Sequence, residues 1–126
     1  MQVTTATSDA LQRYLDLASK QMQLTAENMA NVDTPGYKTQ GFDFAHELEQ
    51  ALHTGATTTA RVTDVDGLTA RPDGNNVSLD REGMQLAKAQ LEFRMGVSLL
   101  KTEYESNSKV VHVADDMYSQ INGMVR

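Results

Sequence analysis

Apolar residues in the first thirty positions return in steps of three and four, the spacing of one face of an α-helix. Leu11, Leu15, Ala18, Met22 and Met29 form this line, and Thr25 fills the remaining position. A second line of Tyr14, Leu17 and Leu24 runs beside it. The pattern predicts a helix over residues 8–31, with Ser8 or Asp9 accepting hydrogen bonds from its first free N–H groups. Pro35-Gly36 ends it, because proline disfavours helical geometry in the residue before it and glycine permits a tight turn.

The same period reappears further on and lasts longer. Counting Leu86 as heptad position a, the a line is Leu86, Phe93, Leu100, Asn107, Ala114 and Ile121. The d line is Ala89, Gly96, Glu103, Val110, Met117 and Met124, and Val97, Tyr104, Val111, Tyr118 and Val125 fall at e. No proline interrupts the stretch, so a helix is predicted over 79–125, and its six heptads from Leu86 could reach about 60 Å. Asn107 and Glu103 are polar in an otherwise apolar seam. Such positions either fix register or partner at some cost in stability, or mark a bend where both face water.

Between the helices, residues 32–78 change character. Phe42, Phe44, Leu48 and Leu52 predict a short amphipathic helix with Asp43 near its start. The stretch Gly55–Val62, rich in β-branched residues, and the turn dipeptides Asp66-Gly67 and Asp73-Gly74 predict a small β-hairpin around 57–72. The expected fold is mainly α in a single domain: long N- and C-terminal helices in an antiparallel, coiled-coil-like hairpin, with a short irregular or β-hairpin middle. Two helices folded back on each other bury one stripe apiece. Here Tyr14, Leu17 and Leu24 on the first and the e positions on the second widen the apolar face, which points to contacts with other subunits.

Composition narrows the function. The chain has 126 residues, 11 basic against 17 acidic side chains, 40% hydrophobic and 6% aromatic residues, and no Cys. Absent cysteine excludes disulfides, thiol catalysis and Cys-based zinc sites. A net charge of −6 argues against nucleic-acid binding, which needs a basic footprint. The start lacks the charged and apolar regions of a cleaved secretory signal, and no apolar run is long enough to span a bilayer.

Candidate chemistry is thin. His46 and His53 are seven residues apart, too far for one zinc ion, and His112 stands alone. Asp64-Val65-Asp66-Gly67 has the start of a calcium loop, but its first ligand position is Val62 and its twelfth is Asp73. Glu27, Asp33, Glu47, Glu49, Glu82, Glu92, Asp115 and Asp116 fall at solvent-like positions of helices or turns, so no carboxylate pair is singled out. The sequence carries no nucleophile elbow, P-loop or zinc-protease motif. No catalytic residue, cofactor or metal is expected.

The most informative segment is Asn28-Met29-Ala30-Asn31-Val32-Asp33-Thr34-Pro35-Gly36-Tyr37-Lys38. The Asn28 and Asn31 amides can satisfy last-turn carbonyls or tie to a neighbouring backbone, and Tyr37 is a large amphipathic anchor. The block at Asn28, Ala30, Asn31, Thr34, Pro35, Gly36, Tyr37 and Lys38 resembles the signature of the flagellar axial proteins, the rod, hook and hook-associated subunits. Gly41–Phe44 and Asp73–Glu82 look like the proximal members of the basal-body rod protein family, and with the heptad helices the resemblance spans nearly the whole chain.

That resemblance implies a structural rod subunit exported by the flagellar type III apparatus without a cleaved signal. Its place would be the periplasmic basal body. Its partners would be copies of itself, other rod subunits, and ring or rod-adaptor proteins, with no nucleic acid and no membrane insertion. Residues 28–38 would fix the crossover, while Leu11, Leu15, Met22 and Met29 would pack against Phe93, Leu100, Val110, Met117 and Ile121 within and between subunits. A cytoplasmic export adaptor using the same helical hairpin is the competing class. A small cell-wall hydrolase would need a carboxylate pair in a cleft.

Overall fold

A computed structural model describes residues 5–54 and 59–124. Three helices and one short sheet follow in order: α1 (Ala6–Ala30), β1 (Gln40–Gly41), α2 (Phe44–Thr54), β2 (Thr63–Asp64) and α3 (Leu79–Met124). α3 has 46 residues, about 69 Å at 1.5 Å per residue.

α1 starts two residues before the expected position because its cap is Thr5. The Thr5 hydroxyl accepts from the Ser8 N–H at 3.0 Å, and the Ser8 hydroxyl accepts from the Thr5 N–H at 2.9 Å. This reciprocal capping box satisfies two groups at once, and Ser8 is its third helical residue, not the cap. Asp43 caps α2, its carboxylate accepting from the His46 N–H at 3.1 Å. Ser78 does the same for α3, accepting from the Arg81 N–H at 3.3 Å.

α1 and α3 run antiparallel. The Thr5 hydroxyl donates to Glu103 at 3.1 Å at one end, and the Asn28 amide donates to Glu82 at 3.1 Å at the other. Between them, Leu15 and Tyr14 lie over Gly96. The buried line of α3 is therefore the d line extended one heptad backwards: Glu82, Ala89, Gly96, with Glu103 half-buried. Its small residues let the two helices approach closely. α3 continues unbroken through Glu103 and Asn107, and the Asn107 side-chain nitrogen is buried without a hydrogen-bond partner.

On α1 the buried residues are Leu17, Ala18, Leu24, Thr25 and Asn28. Leu17 and Leu24, expected to face other subunits, are instead inside this chain, each contributing roughly 1.5–3 kcal/mol by burial. α1 packs against α3 and also against α2 and β1 of the middle segment. The middle supplies the buried Ala51, Ala60 and Val77, the Arg13 guanidinium donates to the Ala51 carbonyl, and the Tyr14 and Phe44 rings meet edge-to-face at 5.5 Å.

The middle does hold two antiparallel strands, but not as a hairpin over 57–72. Gln40 pairs with Asp64 and Gly41 with Thr63, so α2 lies between the paired strands in sequence. Residues 57 and 58 of the expected hairpin fall outside the described residues. Among the described residues no helix is long and apolar enough to cross a membrane.

Candidate functional site

The motif and the segment before α3 fold into one polar lock. Asn28 is 1% exposed, and its amide uses all four hydrogen-bonding positions. Its nitrogen donates to the Gln40 carbonyl at 2.9 Å and to the Glu82 carboxylate at 3.1 Å. Its oxygen accepts from the Gln40 N–H at 3.0 Å and the Tyr37 hydroxyl at 2.9 Å. A side-chain amide here imitates a strand, presenting a donor and an acceptor to the backbone of Gln40, which also pairs with Asp64 of β2. That is why β1 forms where it does.

Glu82, expected in solvent, is fully buried. A buried carboxylate is costly unless paired and hydrogen-bonded. Arg81 meets this need with a 2.7 Å ion pair from its half-exposed guanidinium, and Asn28 meets it from the other side. Burial first, then the Glu27 and Glu82 charges, raises the Tyr37 pKa. The phenol therefore stays protonated and keeps donating to Asn28.

The turn after α1 is held by Asn75. Its buried amide donates to the Asn31 and Thr34 carbonyls, both at 2.8 Å, and accepts from the Val77 N–H at 2.8 Å. Asn31 satisfies the last-turn Glu27 carbonyl at 2.8 Å, and its side-chain oxygen accepts from the Thr34 hydroxyl at 3.0 Å. Lys38 reaches the Gly74 carbonyl at 2.6 Å, and the Gly36 N–H donates to the Asp73 carbonyl at 2.9 Å. Gly36 and Gly74 both have φ near +80°, at 75° and 85°. A Cβ on Gly74 would sit 3.4 Å from the Gly36 Cα, so glycine serves both the left-handed geometry and the close approach. Pro35 and Ala30 are exposed and shape the chain without entering this network.

Asn76 and Arg71 complete the lock. The Asn76 side chain accepts from the Thr39 N–H at 2.7 Å and hydroxyl at 2.9 Å, and Arg71 donates to the Val32 and Val77 carbonyls. Thr39 and Arg71 were not singled out by the sequence; Asn75, Asn76 and Glu82 lay in the Asp73–Glu82 stretch that carries the resemblance, without a role assigned to them. One signal was available for Glu82, which lies seven residues before Ala89 on the d line.

The seam residues divide into two sets. Leu11, Leu15, Met22, Met29, Phe93 and Leu100 are half-buried in the α1–α3 region. Val110, Met117 and Ile121 lie beyond Glu103, where no described residue of α1 stands opposite, and are 67%, 57% and 58% exposed. Every residue from Ser108 to Gly123 is exposed. At 100° per residue, Tyr104, Val110, Val111, Val113, Ala114, Met117, Tyr118 and Ile121 cover about half of the helix circumference, wider than a two-helix seam requires.

The two remaining histidine ion pairs lie apart from the lock. His53 faces Glu49 at 3.8 Å and His112 faces Asp116 at 3.6 Å, both exposed pairs one helical turn apart. Among the described residues no three His, Asp or Glu side chains converge as a cation site.

No family model matches the chain, and it is similar to several curated proteins. It is 31% identical over 122 residues to the flagellar basal body rod protein FlgB of Salmonella typhimurium, with 79% of this chain and 88% of that protein covered. The FlgB protein of Escherichia coli K12 is 30% identical with the same coverage. That of Borrelia hermsii is 29% identical over 126 residues, covering 82% and 93%.

Proposed function

The chain belongs to the FlgB family of flagellar basal-body rod proteins, and we propose that it serves as a structural subunit of the proximal rod. In that role it joins copies of itself, other rod subunits and the ring or adaptor proteins around them, and passes torque from the membrane ring towards the hook. It reaches the periplasmic space through the flagellar export apparatus. Its work is mechanical and uses no cofactor.

The observation that carries this reading is where the uncovered apolar surface lies. Of the large apolar side chains left exposed among the described residues, all but Leu52 are on α3. Half of that helix is held by α1 and the polar lock, and the other half projects as a stiff apolar arm of 21 residues, 104–124, about 31 Å long. A lone amphipathic arm gains stability chiefly by packing against neighbours. A lock that fixes one end of a lever while leaving the other to be shared suits a load-bearing assembly.

Ile121→Asp tests it. The position is 58% exposed, so the purified variant should unfold within about 0.5 kcal/mol of the wild type. A strain carrying it as its only copy should fail to swim in soft agar and lack complete rods by electron microscopy. Wild-type swimming and intact rods would overturn the assignment of the arm to assembly.

A further inference from the structure

Three aspartyl- or asparaginyl-glycine dipeptides occur in the chain: Asp66-Gly67, Asp73-Gly74 and Asn122-Gly123. The first two are turns of the middle segment with the same left-handed glycine, φ 83° at Gly67 and 85° at Gly74. Glycine has no Cβ to shield its nitrogen, so that nitrogen can attack the side-chain carboxyl carbon of the residue before it. The two turns differ in what holds them.

Asp73-Gly74 is built into the lock. The Asp73 carbonyl accepts from the Gly36 N–H at 2.9 Å, and the Gly74 N–H donates to the Arg71 carbonyl at 2.8 Å. The Asp73 carboxylate accepts from the Asn75 N–H at 3.0 Å and lies 4.0 Å from the Arg71 guanidinium. Turning the carboxyl and the Gly74 nitrogen toward each other would break these bonds and open the crossover. Both residues of Asp66-Gly67 are exposed. Among the described residues nothing is hydrogen-bonded to the Asp66 carboxylate or the Gly67 N–H, and a Cβ on Gly67 would meet nothing within 4 Å. Asn122-Gly123 lies inside α3, where each N–H is engaged by a carbonyl one turn back.

We propose that Asp66 is a site of spontaneous backbone isomerisation, and that the lock withholds the same reaction from Asp73. The Gly67 nitrogen forms a bond to the Asp66 side-chain carboxyl carbon, and the carboxyl hydroxyl leaves as water with the amide proton. Water then adds to the five-membered imide. Addition at the main-chain carbonyl breaks its bond to the Gly67 nitrogen, so the chain runs through the side chain and the α-carboxylate is free. The water lost is regained, and nothing else is consumed. The isoaspartate product has one more backbone carbon between Val65 and Arg71. The Val65 N–H donates to the Thr39 carbonyl at 2.9 Å, and Arg71 holds the Val32 and Val77 carbonyls. The altered linkage thus falls in the segment that ties β2 to the lock.

The test compares the full chain in warm neutral buffer with the same chain unfolded in guanidinium chloride, both sampled over weeks. Trypsin releases residues 62–81 as one peptide, because Arg71 precedes Pro72. Electron-based fragmentation then places an isoaspartate at 66 or 73 within it. In the folded chain isoaspartate should form at 66 about tenfold faster than at 73, or more, because the hydrogen bonds of Asp73-Gly74 must break first. In guanidinium chloride the two rates should converge, since both aspartates then precede an unrestrained glycine. Comparable rates in the folded chain, or no isoaspartate at 66, would overturn the proposal. A preference for 66 that persists in denaturant would also overturn it, by assigning the difference to local sequence and not to the lock. None of these outcomes depends on the chain's place in the rod.

Discussion

Asn28→Asp should lower the unfolding free energy at pH 7 by about 3–5 kcal/mol, the range for breaking a buried charge's pairing. The substitution preserves volume and shape while replacing the nitrogen that donates to Glu82 at 3.1 Å and to the Gln40 carbonyl at 2.9 Å. Two carboxylates would then face each other in a site where, among the described residues, Arg81 is the other side chain donating to Glu82. Asn28→Ala should cost a similar amount through a different route. It leaves the Gln40 N–H and carbonyl, the Tyr37 hydroxyl and one Glu82 oxygen without their partner, and each unsatisfied buried group costs about 1–3 kcal/mol. Urea unfolding followed by circular dichroism measures both. Either variant within about 1 kcal/mol of wild type, below the ordinary cost of one unsatisfied buried group, would show that Asn28 does not hold the lock.

Gly96→Val should destabilise by about 1–3 kcal/mol, as overpacking of a close contact does. A Cβ at this position would lie 2.7 Å from Leu15 Cδ2, 3.0 Å from Tyr14 Cδ1 and 3.2 Å from Leu15 Cγ. Valine adds two methyl groups beyond that, so α1 must move away from α3 or Leu15 and Tyr14 must leave their positions. Tyr14 is constrained by its edge contact with Phe44. Gly83→Ala is the matched control. It is also inside α3, but a Cβ there meets nothing within 4 Å, so alanine should stabilise by up to about 1 kcal/mol through helix propensity. Opposite signs at two glycines of one helix would locate the close approach. A neutral or stabilising Gly96→Val would contradict it.

The helices were legible because a period of three and four sustained over many residues has no good alternative as strand or loop. The motif at 28–38 was legible as a helix stop and a crossover. Its chemistry was not, because the partners of Asn28 lie at Gln40 and Glu82, and local spacing does not reveal such distant pairings. Glu82 is a charged residue in the first turn of a helix, a position that ordinarily faces water and favours acids through the helix dipole. Only its place one heptad before Ala89 marked it as inward-facing. The outward reading of Leu17 and Leu24 failed for a related reason. The middle segment adds small buried residues, Ala51 and Ala60, that hardly register as hydrophobic signal. The strand pairing escaped because β1 is set by an amide on α1, with no alternation of its own to read.

The placement of unsatisfied surface links these details to function. The lock secures Asn28, Glu82 and the crossover with buried, fully partnered polar groups, which specify one geometry and resist loosening. The arm beyond Glu103 has the opposite character, apolar over half its circumference and exposed. A chain with only 40% hydrophobic residues can sustain such a long helix when neighbours share the core.

Quantitative mass spectrometry of purified hook–basal bodies tests the central claim most directly. The account expects the chain to be recovered there in fixed ratio to other rod subunits and lost with them when the rod is absent. Recovery only from the soluble cytoplasm, in a stoichiometric complex with an exported client, would contradict it and favour an export adaptor.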